Sequence, residues 1–194
     1  MSPLYAEVLA FCRAQLATHA HRPLIVGIQG PQGAGKTTLT RALLEALPAI
    51  GLRGAAVSID DFYMTRAGQL EVAAAHPSNP YLEHRGYPGT HDIALGEQTL
   101  AHAAAADHRT LTIPVYDKSA HSGRGDRAPE DQWRQIALPI DVLFVEGWML
   151  GFEPVPEASL SDPHLIAPNR ALAAYARWYR YIDAWVVLRA VDRF

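Results

Sequence analysis

Cysteine is almost missing from this 194-residue chain: Cys12 stands alone, so no intramolecular disulfide can form. The N-terminus lacks a basic flank followed by an apolar signal core. No run approaches the roughly 20 apolar residues that span a bilayer. A dominant charge is missing too. Seventeen Lys and Arg against twenty Asp and Glu leave a formal net charge of −3, which gives no global basic field for a nucleic acid, and no local basic patch has the needed density. The nine histidines are scattered, without the paired spacing or partner cysteines of a zinc site. Internal repeats and low-complexity tracts are absent beyond a short alanine run at Ala103–Ala106. What remains is a chain of one domain's length, with 49% hydrophobic residues to fill a core. It is expected to be cytoplasmic and to bind neither nucleic acid nor membrane.

The periodicities that are present alternate. Ser2 and Pro3 open a helix through "SPLYAEVLAFCRAQLATHA", in which Leu4, Val8, Phe11, Cys12 and Leu16 recur at helical spacing. Cys12 therefore reads as core rather than as a nucleophile. "PLIVGI" reads as a buried strand, "GKTTLTRALLEAL" as a helix, and "GAAVSI", "TLTIPV" and "DVLFVE" as further strands. The helical "IALGEQTLAHAAAA" precedes "TLTIPV". Near the end, Asn169 is placed to cap a helix through "RALAAYARWYRY", before the strand-like "DAWVVL". Such alternation implies a mainly parallel sheet covered on both faces, an α/β domain. Two segments break it, Met64–Asp92 and Lys118–Pro139, both rich in Pro, Gly, His, Arg and Asp. Each follows a strand end, where α/β ligand sites form, and reads as a functional loop.

The chemistry is most explicit in "GPQGAGKT", Gly30 to Thr37, which fits G-x-x-x-x-G-K-[ST] with a strand before it and a helix after. Glycines let the backbone wrap phosphate oxygens with its N–H groups inward, and the helix N-terminus adds partial positive charge. Gly30, Pro31, Gln32, Gly33, Ala34, Gly35, Lys36, Thr37 and Thr38 are thus candidates to hold a nucleotide triphosphate. Lys36 would reach the β and γ phosphates, and the Thr37 hydroxyl could ligate Mg²⁺. "VSIDDFYMT" brings Asp60 and Asp61 to the carboxyl edge of the sheet, where a carboxylate can accept the proton of an attacking hydroxyl; a turn or cap role is the alternative. "DVLFVEGW" delivers Glu146 to the same edge, in the place of a Walker B acid that positions the metal. The two irregular segments add His84, Arg85, His91 and Asp92, then Tyr116, Asp117, Lys118, His121, Arg124 and Arg127. Cations mixed with hydroxyl-binding groups suit a small anionic acceptor, because guanidinium forks bind carboxylates bidentately; solvated surface is the alternative for each.

The ordered set "GPQGAGKTT", "SIDDFYMT", "RGYPGTHD", "PVYDKSAHSGRGDR" and "VLFVEGW" resembles the D-glycerate 3-kinase family, over about residues 24–188. That family falls within the P-loop kinases that include uridine kinase, phosphoribulokinase and pantothenate kinase. The resemblance implies a P-loop NTPase-type three-layer α/β/α sandwich, one domain over residues 1–194. It also implies ATP-dependent phosphorylation of a hydroxyl on a small acid, D-glycerate becoming 3-phosphoglycerate. Lys36 and Thr37 would serve ATP and Mg²⁺, Asp60 matches the catalytic base and Glu146 the Walker B acid. Asp92, Tyr116, His121 and Arg124 fall in acceptor-binding segments. Related kinases continue past the strand matching "DAWVVL" into a basic lid and another strand. The chain is accordingly expected to be C-terminally incomplete, with Arg189 and Arg193 only partial substitutes, slow transfer, and an exposed edge inviting self-association. A nucleoside or pantothenate kinase is an alternative, as is a non-catalytic nucleotide-binding regulator, against which Asp60, Glu146 and both polar loops argue.

Overall fold

A computed structural model of the chain describes residues 3–105 and 109–189; Arg193 lies outside them. In chain order the principal elements are α1 (Pro3–Thr18), β1 (Leu24–Gln29), α2 (Lys36–Ala46), β2 (Gly54–Ser58), α3 (Arg66–Ala75) and α4 (Ile93–Ala105). The strands β3 (Thr110–Ile113), β4 (Tyr116–Asp117), β5 (Asp126–Arg127), β6 (Arg134–Ala137), β7 (Val142–Gly147) and β8 (Ala184–Val187) follow. β1 and β7 are apolar up to Ile28 and Val145 and are buried along almost their whole length, which only the interior of a helix-covered sheet permits. They sit side by side in a four-stranded parallel sheet of order β2-β7-β1-β8.

Alternate side chains of that sheet feed two cores. Val26, Ile28 and Phe144 pack with Val8, Cys12, Leu16, Leu39 and Leu43 of α1 and α2. Ile25, Val57, Leu143 and Val145 pack with Leu100 of α4 and with Phe62, Tyr175 and Trp178 on the other face. Each fully buried side chain of this size contributes about 1.5–3 kcal/mol, so both helical layers are held firmly to the sheet. Burial pushes the Cys12 thiol up to about 11, which leaves it an inert core residue. The register aligns Gln29 with Gly147 and Ser58 with Glu146. The carboxyl ends of β1, β2 and β7 therefore finish level, and the segments leaving them meet at one edge.

Several expected elements differ. "TLTIPV" does not join the parallel sheet: Thr110–Ile113 pairs antiparallel with Arg134–Ala137 in a separate ribbon. The reason is legible in its alternation, since Leu111 and Ile113 are buried while Thr110 and Thr112 are exposed, a pattern suited to a half-solvated ribbon rather than a doubly covered strand. The segment Met64–Asp92 contains α3, capped by Thr65 Oγ1 accepting from Gly68 N–H at 3.3 Å. Lys118–Pro139 is likewise built, from β5, β6 and short helical turns. Asn169 caps nothing. It lies inside a short helix, Ile166–Ala171, and its amide bonds the Val155 N–H and carbonyl, each at 2.9 Å, tying down the preceding loop.

Candidate active site

The loop between β1 and α2 turns through two left-handed positions, Gly33 (φ 77°) and Gly35 (φ 82°). A Cβ at either would meet nothing within 4 Å, so glycine is required there by backbone conformation rather than by space. Lys36 Nζ lies across the loop, donating to the carbonyls of Gly30 at 2.8 Å and Pro31 at 2.9 Å. Burial lowers the ammonium's pKa, while the charges of Glu146 and Asp60 act in the opposite sense. Thr37 Oγ1 donates to Glu146 Oε1 at 3.0 Å, joining the first turn of α2 to the end of β7.

The two adjacent acids after β2 divide their work. Ser58 Oγ accepts from Asp60 N–H at 3.3 Å, and Asp61 Oδ2 accepts from Ser58 N–H at 3.0 Å, closing a capping box around the Ile59–Phe62 turn. Asp61 also receives Arg134 Nη2 at 3.1 Å; burial raises its pKa, partly offset by the Ser58 bond and Arg134. Asp60 is left to face outward, with Lys118 Nζ 2.6 Å from its Oδ2.

Two cavities meet at Asp60. The first, about 450 Å³, is walled by Gln32, Lys36, Thr37, Glu146 and Trp148 and is the phosphate-loop side. The second, about 320 Å³, is walled by Arg66, His84, Arg85 and Arg124, and shares Gln32, Asp60, Tyr63 and Lys118 with the first. Four cations and one carboxylate line this second space, which suits an anion.

The sequence-derived acceptor residues are not all brought together. Tyr116 borders the first cavity; its hydroxyl is buried without a hydrogen-bond partner, and the Arg85 guanidinium lies 5.4 Å over its ring. Arg124 borders the second, its Nη1 2.9 Å from His84 Nδ1. Asp92 and His121 line neither. Asp92 caps α4 by accepting from Leu95 N–H at 3.0 Å and pairs with Arg127 at 3.0 Å. His121 Nε2 lies 3.1 Å from Asp126 Oδ2. Sequence reasoning missed Tyr63, Arg66 and Trp148. Tyr63 stacks on His91 at 4.4 Å, and burial, then the neighbouring Asp60 charge, raises its phenol pKa. Arg66 was hidden because Met64–Asp92 read as irregular; a helix starting at residue 66 would have placed it close to Asp60.

A nucleotide-binding switch needs only the first of these spaces. A cation-lined second space meeting the first at a carboxylate is what a phosphotransferase requires, and with this sheet and loop it defines a P-loop kinase. No family model matches the chain. It is 41% identical to the protein named D-glycerate 3-kinase, chloroplastic, of Arabidopsis thaliana, over 97% of this chain and 44% of that one. It is also 41% identical to the uncharacterized kinase mug58 of Schizosaccharomyces pombe, over 88% and 66% respectively. The structure of D-glycerate 3-kinase from Cryptococcus neoformans var. grubii superposes with a TM-score of 0.87 at 33% identity, over 96% of this chain and 73% of that one. The chain belongs to the D-glycerate 3-kinase family, and it spans 44% and 66% of the lengths of the two curated relatives. A possible uridine kinase from Bacillus stearothermophilus, with a TM-score of 0.58 at 21% identity, shares the fold. Among the described residues no helix is long and apolar enough to cross a membrane.

Proposed function

We propose that this chain transfers the γ-phosphoryl group of ATP to a hydroxyl of D-glycerate, giving 3-phosphoglycerate. The observation that carries this reading is the position of Asp60, at the junction of a phosphate-loop cavity and a cation-lined one. The backbone of Gly30–Thr38 cradles the phosphates, and Lys36 follows charge onto the γ-phosphoryl group. Thr37 Oγ1 and Glu146 Oε1, hard oxygen donors 3.0 Å apart, fit Mg²⁺, which when bound neutralises phosphate charge. Asp60 accepts the proton of the attacking hydroxyl. Arg66, whose guanidinium is open, holds the acceptor's carboxylate, with Arg124, bonded to His84, lining the same cavity.

Asp92 and His121 act at one remove. Arg127 Nη2 joins Asp92 to the Tyr63 carbonyl at 2.9 Å. Asp126, paired with His121, accepts from Arg66 N–H at 2.8 Å and so sets the start of α3. Rate then comes from alignment and preorganised charge rather than covalent chemistry.

The test is ATP consumption with Mg²⁺ against a panel of hydroxy acids, nucleosides and pantothenate, with the product identified by NMR. D-Glycerate should stimulate most. Stronger stimulation by a nucleoside or pantothenate would transfer the assignment to that acceptor, and no stimulation by any would remove it.

A further inference from the structure

Lys118 belongs to both cavities, and its ammonium sits 2.6 Å from the carboxylate assigned as base. Its backbone is pinned. Asp117 Oδ1 accepts from the Ser119 N–H at 2.8 Å and from the Ser119 hydroxyl at 2.6 Å, fixing the turn around Lys118. The Lys118 carbonyl accepts from Arg85 Nη2 at 3.4 Å. Its side chain, by contrast, is 59% exposed, and among the described residues Asp60 is the one group the ammonium bonds. A flexible four-carbon stem on a fixed base can swing.

The other cations of the second cavity differ in their freedom. Arg85 is committed to the carbonyls of Lys118, Gly123 and Arg124, and Arg124 to His84. Arg66 is half-buried, and its guanidinium has no hydrogen-bond or salt-bridge partner among the described residues. An acceptor carboxylate therefore finds one open fork, Arg66, and one exchangeable ammonium, Lys118.

We propose that Lys118 is a specificity-determining residue that makes release of the base conditional on an acidic acceptor. This rests on the kinase reading above. Without an acid, the ammonium occupies Asp60 Oδ2. A carboxylate seated on Arg66 offers the ammonium an equal countercharge, so it moves from Asp60 to the acceptor at little cost. The hydroxyl proton then passes to Asp60, the acceptor oxygen bonds to the γ phosphorus, and the bond from that phosphorus to the β–γ bridging oxygen breaks with its electron pair leaving on ADP. Water or a neutral analogue offers only a dipole. Charge-assisted bonds are roughly twice as strong as neutral ones, so neither displaces the ammonium efficiently.

The experiment compares the unaltered chain with Lys118→Gln and Lys118→Arg under Mg-ATP, with D-glycerate, with its uncharged amide, and with no acceptor. In Lys118→Gln the preference for acid over amide in kcat/KM should fall by about ten-fold or more, and ATP hydrolysis without acceptor should rise several-fold because Asp60 is free to water. Lys118→Arg, which keeps the charge, should keep the preference. A lysine that merely stabilised the transferring phosphoryl group would give the opposite sign, with hydrolysis falling on its loss. Failure of glycerate to stimulate the unaltered chain sinks the kinase reading and this coupling together. Glycerate stimulation accompanied by an undiminished preference in Lys118→Gln, by a basal rate that does not rise, or by a Lys118→Arg variant as unselective as Lys118→Gln, overturns the coupling alone.

Discussion

Adjacent residues with the same side chain take unlike tasks here because the turn after β2 points them apart. Asp61 closes a cap with Ser58 and binds Arg134, whereas Asp60 faces both cavities. Asp60→Asn should keep ATP affinity but lose about 10²–10⁴-fold in single-turnover transfer, the usual contribution of a general base. Asp61→Asn, whose amide oxygen can still accept from the Ser58 N–H, should leave transfer nearly unchanged, whereas Asp61→Ala should lower the melting temperature, a lost cap costing about 1 kcal/mol. If Asp61→Asn proves the slower enzyme, the two roles are exchanged. Among the arginines, the open guanidinium of Arg66 leads us to expect that Arg66→Ala raises the acceptor's KM by about ten-fold or more, the value of a charge-assisted bond, with the KM for ATP little changed. Arg124→Ala, which removes a side chain already bonded to His84, should raise it less. Equal acceptor kinetics in Arg66→Ala and the unaltered chain would rule that guanidinium out as a contact.

At the scale of elements, α4 shows packing overriding local propensity. Gly96 lies in the helix interior, where alanine would ordinarily be better by about 1 kcal/mol. Here a Cβ would come within 2.5 Å of Trp178 Cε2, and Trp178 is fully buried with its Nε1 donating to the Ile93 carbonyl at 2.9 Å. Overpacking typically costs about 1–3 kcal/mol, so Gly96→Ala should lower the urea midpoint despite its better helix propensity. A midpoint that rises would mean Trp178 relocates freely. The consequence reaches the site, because the same helix begins at Asp92 and follows His91, the residue on which Tyr63 stacks.

Two properties belong to the whole molecule. His91 is 1% exposed, with Nδ1 2.7 Å from the Tyr175 hydroxyl and its ring against Tyr63 and Trp178. Burial pushes its pKa down to about 3 from an ordinary 6.5, against a small upward pull from Asp60. Below about pH 6.5 the unfolded chain takes a proton that the native state refuses, so this contribution is complete above that pH and is lost as pH falls toward 3, at about 1.4 kcal/mol per pH unit. By pH 5 the unaltered protein should have lost about 2 kcal/mol through this group. In denaturant melts at pH 7 and pH 5, His91→Phe should show a correspondingly shallower decline; parallel profiles would place the acid sensitivity elsewhere. The sheet edge is the second property. Among the described residues β8 pairs with β1 alone, and it presents Trp185 at 38% and Val187 at 66% exposure. Apolar open edges invite pairing. For the 194-residue chain on its own we expect concentration-dependent association in sedimentation, reduced by Val187→Lys, and a strictly monomeric chain at all concentrations would show this edge to be inert.

How much of this was legible in the chain depends on how far each requirement reaches. The phosphate loop could be read directly because its demands are local: glycines where the backbone turns left-handed, then a lysine at the first position of a helix. The buried strands β1 and β7, and Cys12 as core, were legible for the same reason, since an apolar run or a helical period states its own burial. Pairings across long separations were not. Nothing near Thr110–Ile113 names Arg134–Ala137 as its partner, nothing beside Asn169 announces that it will hold Val155, and Asp60 and Lys118 stand 58 residues apart. The lining of the second cavity was obscured for this reason, with Arg66 passed over, while Asp92 and His121, expected in acceptor-binding segments, line neither cavity. Local conformation and burial are properties of a few neighbouring residues and are written in their order. Which cation is left unpaired, and which carboxylate faces it, is decided only when all elements are packed and every nearer partner has been taken.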